Sequence, residues 1–179
     1  MKCQIGVIGS SEKEARGKQK AKSIGREIAK AGCHLLTGGC TGLPYAAIEG
    51  AKEEGGFTVG ISPAIDQEEH LKKYGYPIEG HDLMVYTGFG YKGRNVILVR
   101  SCDGVVATSG RMGTLNELTI AHAEGKVMGL LKGVSGAGEE FEKLAKKLGR
   151  PEGKIITSEN PKKLVQKVLQ KLDEKTLKS

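Results

Sequence analysis

The residues best suited to chemistry are Ser109, Gly110, Arg111, Met112, Gly113 and Thr114, which join an apolar run at 104–108 to a helical pattern carrying Glu117. Glycines let a backbone approach a ligand closely, the first turn of a helix offers unpaired N–H groups, and the Thr114 hydroxyl adds a donor. Such a turn can seat a phosphate. Glu117 is expected to project from the first turn of that helix, where a carboxylate either offsets the helix dipole or faces the ligand.

Two other turns repeat this chemistry. Gly9, Ser10 and Ser11 follow the first apolar run, and Gly38, Gly39, Cys40, Thr41 and Gly42 follow the second. In an open parallel sheet, ligands bind beyond the carboxyl ends of the strands, so three small, donor-rich turns would converge on one edge and favour a phosphate-bearing ligand. The glycine order of a dinucleotide fold is missing, since Gly6 and Gly9 are followed by Ser10, and there is no Walker A motif. NAD binding is therefore not expected.

The elements that must position these turns are legible as apolar runs of strand length at 4–8, 34–37, 57–62, 83–86, 104–108, 127–131 and 154–157, alternating with helical patterns. This alternation predicts an α/β fold, a Rossmann-like parallel sheet with helices on both faces, as a single domain over 1–179. Helices are expected at 13–30, after Gly42, at 92–101 and from near Gly113, with two more towards the end of the chain. Segment 63–81, with Pro63, Gly75, Pro77 and Gly80, has no clear period and reads as a loop over one edge of the sheet, placed where a lid would be.

Composition narrows the partners. With 38% hydrophobic residues in 179, the chain can bury a real core. Its start runs straight into a strand pattern without an apolar signal stretch, and no segment reaches about eighteen uninterrupted apolar residues, so a soluble cytoplasmic protein with no membrane partner is expected. Cys3, Cys33, Cys40 and Cys102 are scattered and read as buried thiols, neither a disulfide framework nor a zinc site. His34, His70, His81 and His122 are likewise isolated, so no metal is expected. The net charge of +7 suggests an anionic partner. Residues 161–179, however, hold six lysines against Asp173 and Glu174, while Leu164, Val165, Val168, Leu169 and Leu172 share one helical face. Much of the excess is thus a solvated helix face. Aromatic content of 4% without tryptophan leaves few stacking platforms, which argues against direct nucleic-acid binding.

Gly113, Thr114, Leu115, Asn116 and Glu117, after a glycine-containing turn, resemble the PGGxGTxxE motif of the LOG ("lonely guy") family, also labelled "possible lysine decarboxylase". Gly9, Ser10 and Ser11, then Gly38 to Leu43, then Arg94 and Asp103 follow the same pattern in order, and the resemblance covers roughly residues 4–160. It implies a Rossmann-like fold, a homodimer or homotetramer, and a phosphoribohydrolase that frees the base from a nucleoside 5′-monophosphate. A sister branch, the molybdenum cofactor carrier proteins, is similar in fold and implies the alternative, a protein that holds a phosphorylated pterin or nucleotide.

Carried over by position, the resemblance makes Arg94 and Glu117 the catalytic pair, with Gly110, Gly113 and Thr114 in the phosphate turn. A carboxylate such as Glu117 can stabilise the oxocarbenium-like state of N-glycosidic cleavage or hold the attacking water. Arg94 would fix the phosphate or the ribose hydroxyls with its planar fork. Three positions depart from the hydrolase pattern. Asn95 follows Arg94 where the hydrolases have lysine, which looks more like the carrier branch, and Ser109 and Arg111 replace proline and glycine. A side chain at Arg111 is expected to oppose a positive φ, while its guanidinium gains reach to a phosphate. No lysine sits in a pyridoxal phosphate constellation, so neither a decarboxylase nor any other cofactor is expected. Selectivity for the base is expected from loops such as 63–81 or from a second subunit.

Overall fold

The apolar runs become strands β1 (Gln4–Gly9), β2 (His34–Thr37), β3 (Thr58–Ser62), β4 (Leu83–Tyr86), β5 (Gly104–Thr108), β6 (Val127–Leu131) and β7 (Lys154–Ser158). Between and after them run helices α1 (Lys18–Lys30), α2 (Leu43–Glu53), α3 (Gln67–Lys72), α4 (Gly90–Arg100), α5 (Met112–Ala123), α6 (Ala137–Leu148) and α7 (Pro161–Thr176). These elements come from a computed structural model that describes residues 2–13, 15–148 and 154–176. All seven strands are parallel, in the order β4-β3-β2-β1-β5-β6-β7. The fold is therefore the Rossmann-like α/β sheet that the sequence implies.

Helices cover both faces. Ile24 and Ile28 of α1, Ile48 of α2 and Val168 of α7 pack on one side, and Leu98 of α4, Leu118 of α5 and Phe141 of α6 on the other. Strands β5 and β6 are buried along their whole length, which is why they read as continuous apolar runs without alternation. Helices α1 and α2 lie unusually close, because a Cβ on Gly25 would stand 1.8 Å from the Ala47 carbonyl oxygen and one on Gly50 would stand 1.9 Å from that of Lys22. On α7, Leu164, Val165 and Val168 are buried while Lys162, Lys163 and Lys167 are exposed, as a solvated basic face requires. Lys178, counted in that basic segment, lies outside the described residues. Among the described residues, no helix is long and apolar enough to cross a membrane.

Three expectations need correction. Helix α1 begins at Lys18 and not at 13, because Gly17 takes a left-handed φ of 98° that blocks extension of the helix backwards. Segment 63–81 is not all loop but contains α3, started by the Asp66 carboxylate, which accepts from Glu69 N at 2.8 Å, while Glu69 Oε2 accepts from Ile65 N at 2.7 Å. Six residues are too few for a hydrophobic period to appear. Finally, Cys33, Cys40 and Cys102 are buried thiols, but Cys3, just before the edge of β1, is only partly buried.

The strand order sets up the site. From β1 the chain steps outwards through β2 and β3 to β4, then returns across the sheet so that β5 pairs with β1, from Ile5 opposite Gly104 to Gly9 opposite Thr108. The order reverses there, and the turns after β1, β2 and β5 open onto the same edge.

Candidate functional site

At that edge lies a cavity of about 280 Å³, and nine of the residues expected from the sequence line it: Gly9, Ser10, Ser11, Gly38, Arg94, Arg111, Gly113, Thr114 and Glu117. The turns after β1 and β2 are held by their close approach. Leu43 N donates to Ser10 O at 2.8 Å and Thr41 Oγ1 to Ser11 O at 2.6 Å, so the turns after β1 and β2 are tied together. Gly42 permits this contact, since a Cβ there would stand 2.3 Å from Ser10 O.

Arg94 and Glu117 meet in this cavity from different helices. Arg94, on α4, is 6% exposed and Glu117, on α5, is 7% exposed. The guanidinium lies over Gly38, where a Cβ would come within 1.4 Å of Nη1, so glycine is needed at this position for space. Among the described residues, Arg94 has no ion-pair or hydrogen-bond partner. The Glu117 carboxyl acts on the guanidinium electrostatically without forming an ion pair with it, which leaves guanidinium N–H groups for an incoming anion. Burial pushes the Glu117 carboxyl up to about 7, against the opposing pull of Arg94. Asn95, 4% exposed, lies beside Glu117. Its carboxamide lies 3.0 Å from Asn116 Oδ1, and in the alternative amide orientation it donates to Tyr91 O at 3.0 Å and to Glu117 Oε1 at 3.3 Å.

The turn after β5 differs from expectation in two ways. Arg111 is the N-cap residue of α5 with φ −119°, and the positive angles fall on Ser109 at 63° and Gly110 at 102°. Arg111 thus bears no left-handed strain, and its largely exposed side chain pairs with Glu12 at 2.8 Å on the rim. The strain sits on Ser109. Glu117 is six residues beyond the cap, in the second turn of α5, and no acidic residue occupies the first turn. Of the two roles open to it, its carboxylate takes the one that faces the cavity and not the one that offsets the helix dipole. Thr114 is 3% exposed and packs against Gly110, where a Cβ would lie 2.1 Å from Oγ1.

Ser109, Gly110, Met112, Gly39 and Gly42 do not line the cavity. The carbonyls of Ser109 and Gly110 accept from Gly138 N at 3.3 Å and Ala137 N at 2.7 Å, anchoring the start of α6. Met112 is 76% exposed. Gly39 N donates to Thr37 Oγ1 at 3.1 Å and shapes the turn after β2. Conversely, Tyr76, Tyr91 and Asn95 line the cavity without belonging to any glycine-rich turn. One signal was available: Tyr91 precedes Arg94 by three residues, which puts both on one face of α4. No group of three or more His, Cys, Asp or Glu side chains is arranged to hold a metal ion among the described residues. His70 is instead buried between Ser62 Oγ at 2.8 Å and Pro77 O at 3.2 Å.

The comparisons with known proteins agree with this architecture. The chain belongs to the SLOG cluster4 family, whose sequence model matches residues 2–165. An uncharacterised protein of Archaeoglobus fulgidus is 36% identical over 129 residues, covering 72% of this chain and 80% of that one. The molybdenum cofactor binding protein of Rippkaea orientalis superposes with a TM-score of 0.80 at 28% identity, over 96% of this chain and 98% of that one. The molybdenum cofactor carrier protein of Chlamydomonas reinhardtii does so with a TM-score of 0.75 at 29% identity, over 97% and 99%. The resemblance of the motifs to a LOG-like family that includes the carrier branch therefore holds.

Proposed function

We propose that this protein binds a phosphorylated pterin or nucleotide in the cavity at the β1/β5 edge and holds it intact, as a carrier does. One observation carries the reading: Arg94 is buried, with no ion pair or hydrogen bond among the described residues, in a cavity that also receives the N-terminal turn of α5. The phosphate sits against Gly113 and Thr114 at the start of α5, with the turn at Ser10 and Ser11 closing over it and Arg94 neutralising its charge. Asn95 beside Arg94, and the full-length likeness to two molybdenum cofactor proteins, support a carrier over a hydrolase. The ligand so held is the molybdenum cofactor or a molecule of its phosphorylated, heterocyclic class.

Glu117 favours a second reading, a phosphoribohydrolase. A carboxyl raised to about 7 and buried beside the ligand is poised to accept a proton near neutral pH. Water would add to the anomeric carbon as the N-glycosidic bond breaks, and Glu117 would take the proton from that water and pass it to the departing base, which leaves neutral.

Incubation of the purified protein with nucleoside 5′-monophosphates and neopterin monophosphate separates the two. The carrier reading expects tight binding and recovery of every ligand intact. Release of free base and ribose 5-phosphate, abolished in Glu117→Gln while binding persists, would establish the hydrolase and overturn the carrier. Failure to bind any of these ligands would overturn both.

A further inference from the structure

We infer that Tyr76 and Tyr91 form a subsite that stacks the planar nitrogen heterocycle of the ligand. The inference rests on the ligand class proposed above and adds to it the residues that choose the ring. Tyr91 comes from α4 and Tyr76 from the segment between α3 and β4, and both line the same cavity as Arg94 and Glu117. Their hydroxyls are 3.0 Å apart, so two elements distant in sequence are clasped at the mouth of the cleft.

The aromatic cluster is braced from behind. Tyr74 meets Tyr91 edge-on, with ring centroids 5.3 Å apart, and lies nearly parallel to Tyr76 at 6.0 Å. Tyr76 N donates to His70 O at 3.2 Å, and the His70 ring, fully buried, meets Tyr76 edge-on at 5.8 Å. His70 is itself fixed by Ser62 and Pro77, so the segment carrying Tyr76 is footed on β3. Burial and the Tyr91 hydroxyl hold the Tyr76 phenol well above its ordinary range, which keeps it neutral. Rings held in place lose little freedom when a ligand arrives.

The strand order gives the cleft a direction. The phosphate-binding turn follows β5 inside the sheet, while the Tyr76 segment leads into β4 at the edge of the sheet, with α4 connecting the two strands. A ligand with phosphate at one end and a flat ring at the other matches that layout. Cys40, kept a neutral thiol by burial that pushes it up to about 11, and Pro44 add apolar wall. Surface tyrosines would not need such bracing, and Tyr91 keeps half of its surface exposed where a ring can cover it.

Three probes test this: AMP, neopterin monophosphate, and ribose 5-phosphate, which carries a phosphate but no aromatic ring. Because the chain has no tryptophan, quenching of its tyrosine emission reads ring binding directly, and calorimetry reads all three. Tyr91→Leu and Tyr76→Leu are each expected to weaken the ring-bearing probe that the wild type binds by about tenfold, leaving ribose 5-phosphate within about twofold. Tyr91→Phe, which keeps the ring, should bind like the wild type. Equal losses for probes with and without the aromatic ring, or none for either, would overturn the subsite while leaving the phosphate site standing. A wild type that binds ribose 5-phosphate as tightly as AMP and neopterin monophosphate would do the same. Binding of none of the three would overturn the ligand class itself. Should Tyr76→Leu fail to fold, the half-exposed Tyr91→Leu decides alone.

Discussion

Glu117 is the residue at which stability and binding oppose each other. Its carboxyl is held at about 7 in the fold against 4.5 when unperturbed, so the folded protein binds this proton more tightly than the unfolded chain does. The contribution is therefore fully present below about pH 4.5, declines as pH rises towards 7 and stays lost above it, a difference of about 3 kcal/mol. Urea unfolding at pH 5 and pH 8 should reveal that loss in the wild type and its absence in Glu117→Gln; equal pH dependence in both proteins would refute the buried-acid reading. A second expectation concerns space beside Arg94. Gly38→Ala puts a methyl group onto the guanidinium, a flexible tip that can swing away, so the fold should survive while affinity for AMP or neopterin monophosphate drops by about tenfold or more in calorimetry. Retained affinity would mean that Arg94 does not hold the phosphate. Arg94, Glu117 and Thr114 were legible in the sequence because they sit in short motifs. Tyr76 was not, because its place in the cleft depends on a segment folded onto His70, a contact with no local signature.

Helices α1 and α2 hold the turn after β2 from behind, and their closeness is set by two glycines. In Gly25→Ala or Gly50→Ala the new methyl group meets a backbone carbonyl of the facing helix, which cannot rotate away. Each substitution should cost about 2–3 kcal/mol and lower the melting temperature by roughly 5–10 °C, whereas Gly55→Ala, with open space around it but a positive φ, should cost about 1 kcal/mol. Calorimetric scans of the three variants check the ranking, and equal losses would remove the claim of close helix packing. Strands were the most legible elements: burial along β5 and β6 writes an uninterrupted apolar run, the half-exposed edge strand β4 is still an apolar run, and β2, β4, β5 and β6 fall at the limits expected. Helix starts were less so. The first turn of α1 is decided by the left-handed Gly17 and that of α3 by an Asp66 cap, single residues that a periodic pattern does not weigh. The same holds for the turn before α5, where Ser109 and not Arg111 takes the positive φ because Arg111 already caps the helix.

At the scale of the whole molecule, the pairing of β1 with β5 joins the first strand to one about a hundred residues later. Asp103 fastens its far end, accepting from Gln4 N at 2.8 Å while its own N–H donates to Gln4 O at 2.8 Å. Saturating ligand should slow amide exchange along Gln4–Gly9 and Gly104–Thr108 more than along β7, as followed by mass spectrometry, because contacts to both turns oppose the opening of this pair. Uniform protection across the sheet would show that the ligand does not bridge them. The site is thus a seam. Everything up to β4 supplies Ser10, Ser11, Gly38 and Tyr76, and everything from α4 onwards supplies Tyr91, Arg94, Thr114 and Glu117. Were the chain divided between Gly88 and Phe89, each fragment would carry one wall of the cleft, and the phosphorylated heterocycle would become the bridge on which the two halves reassemble.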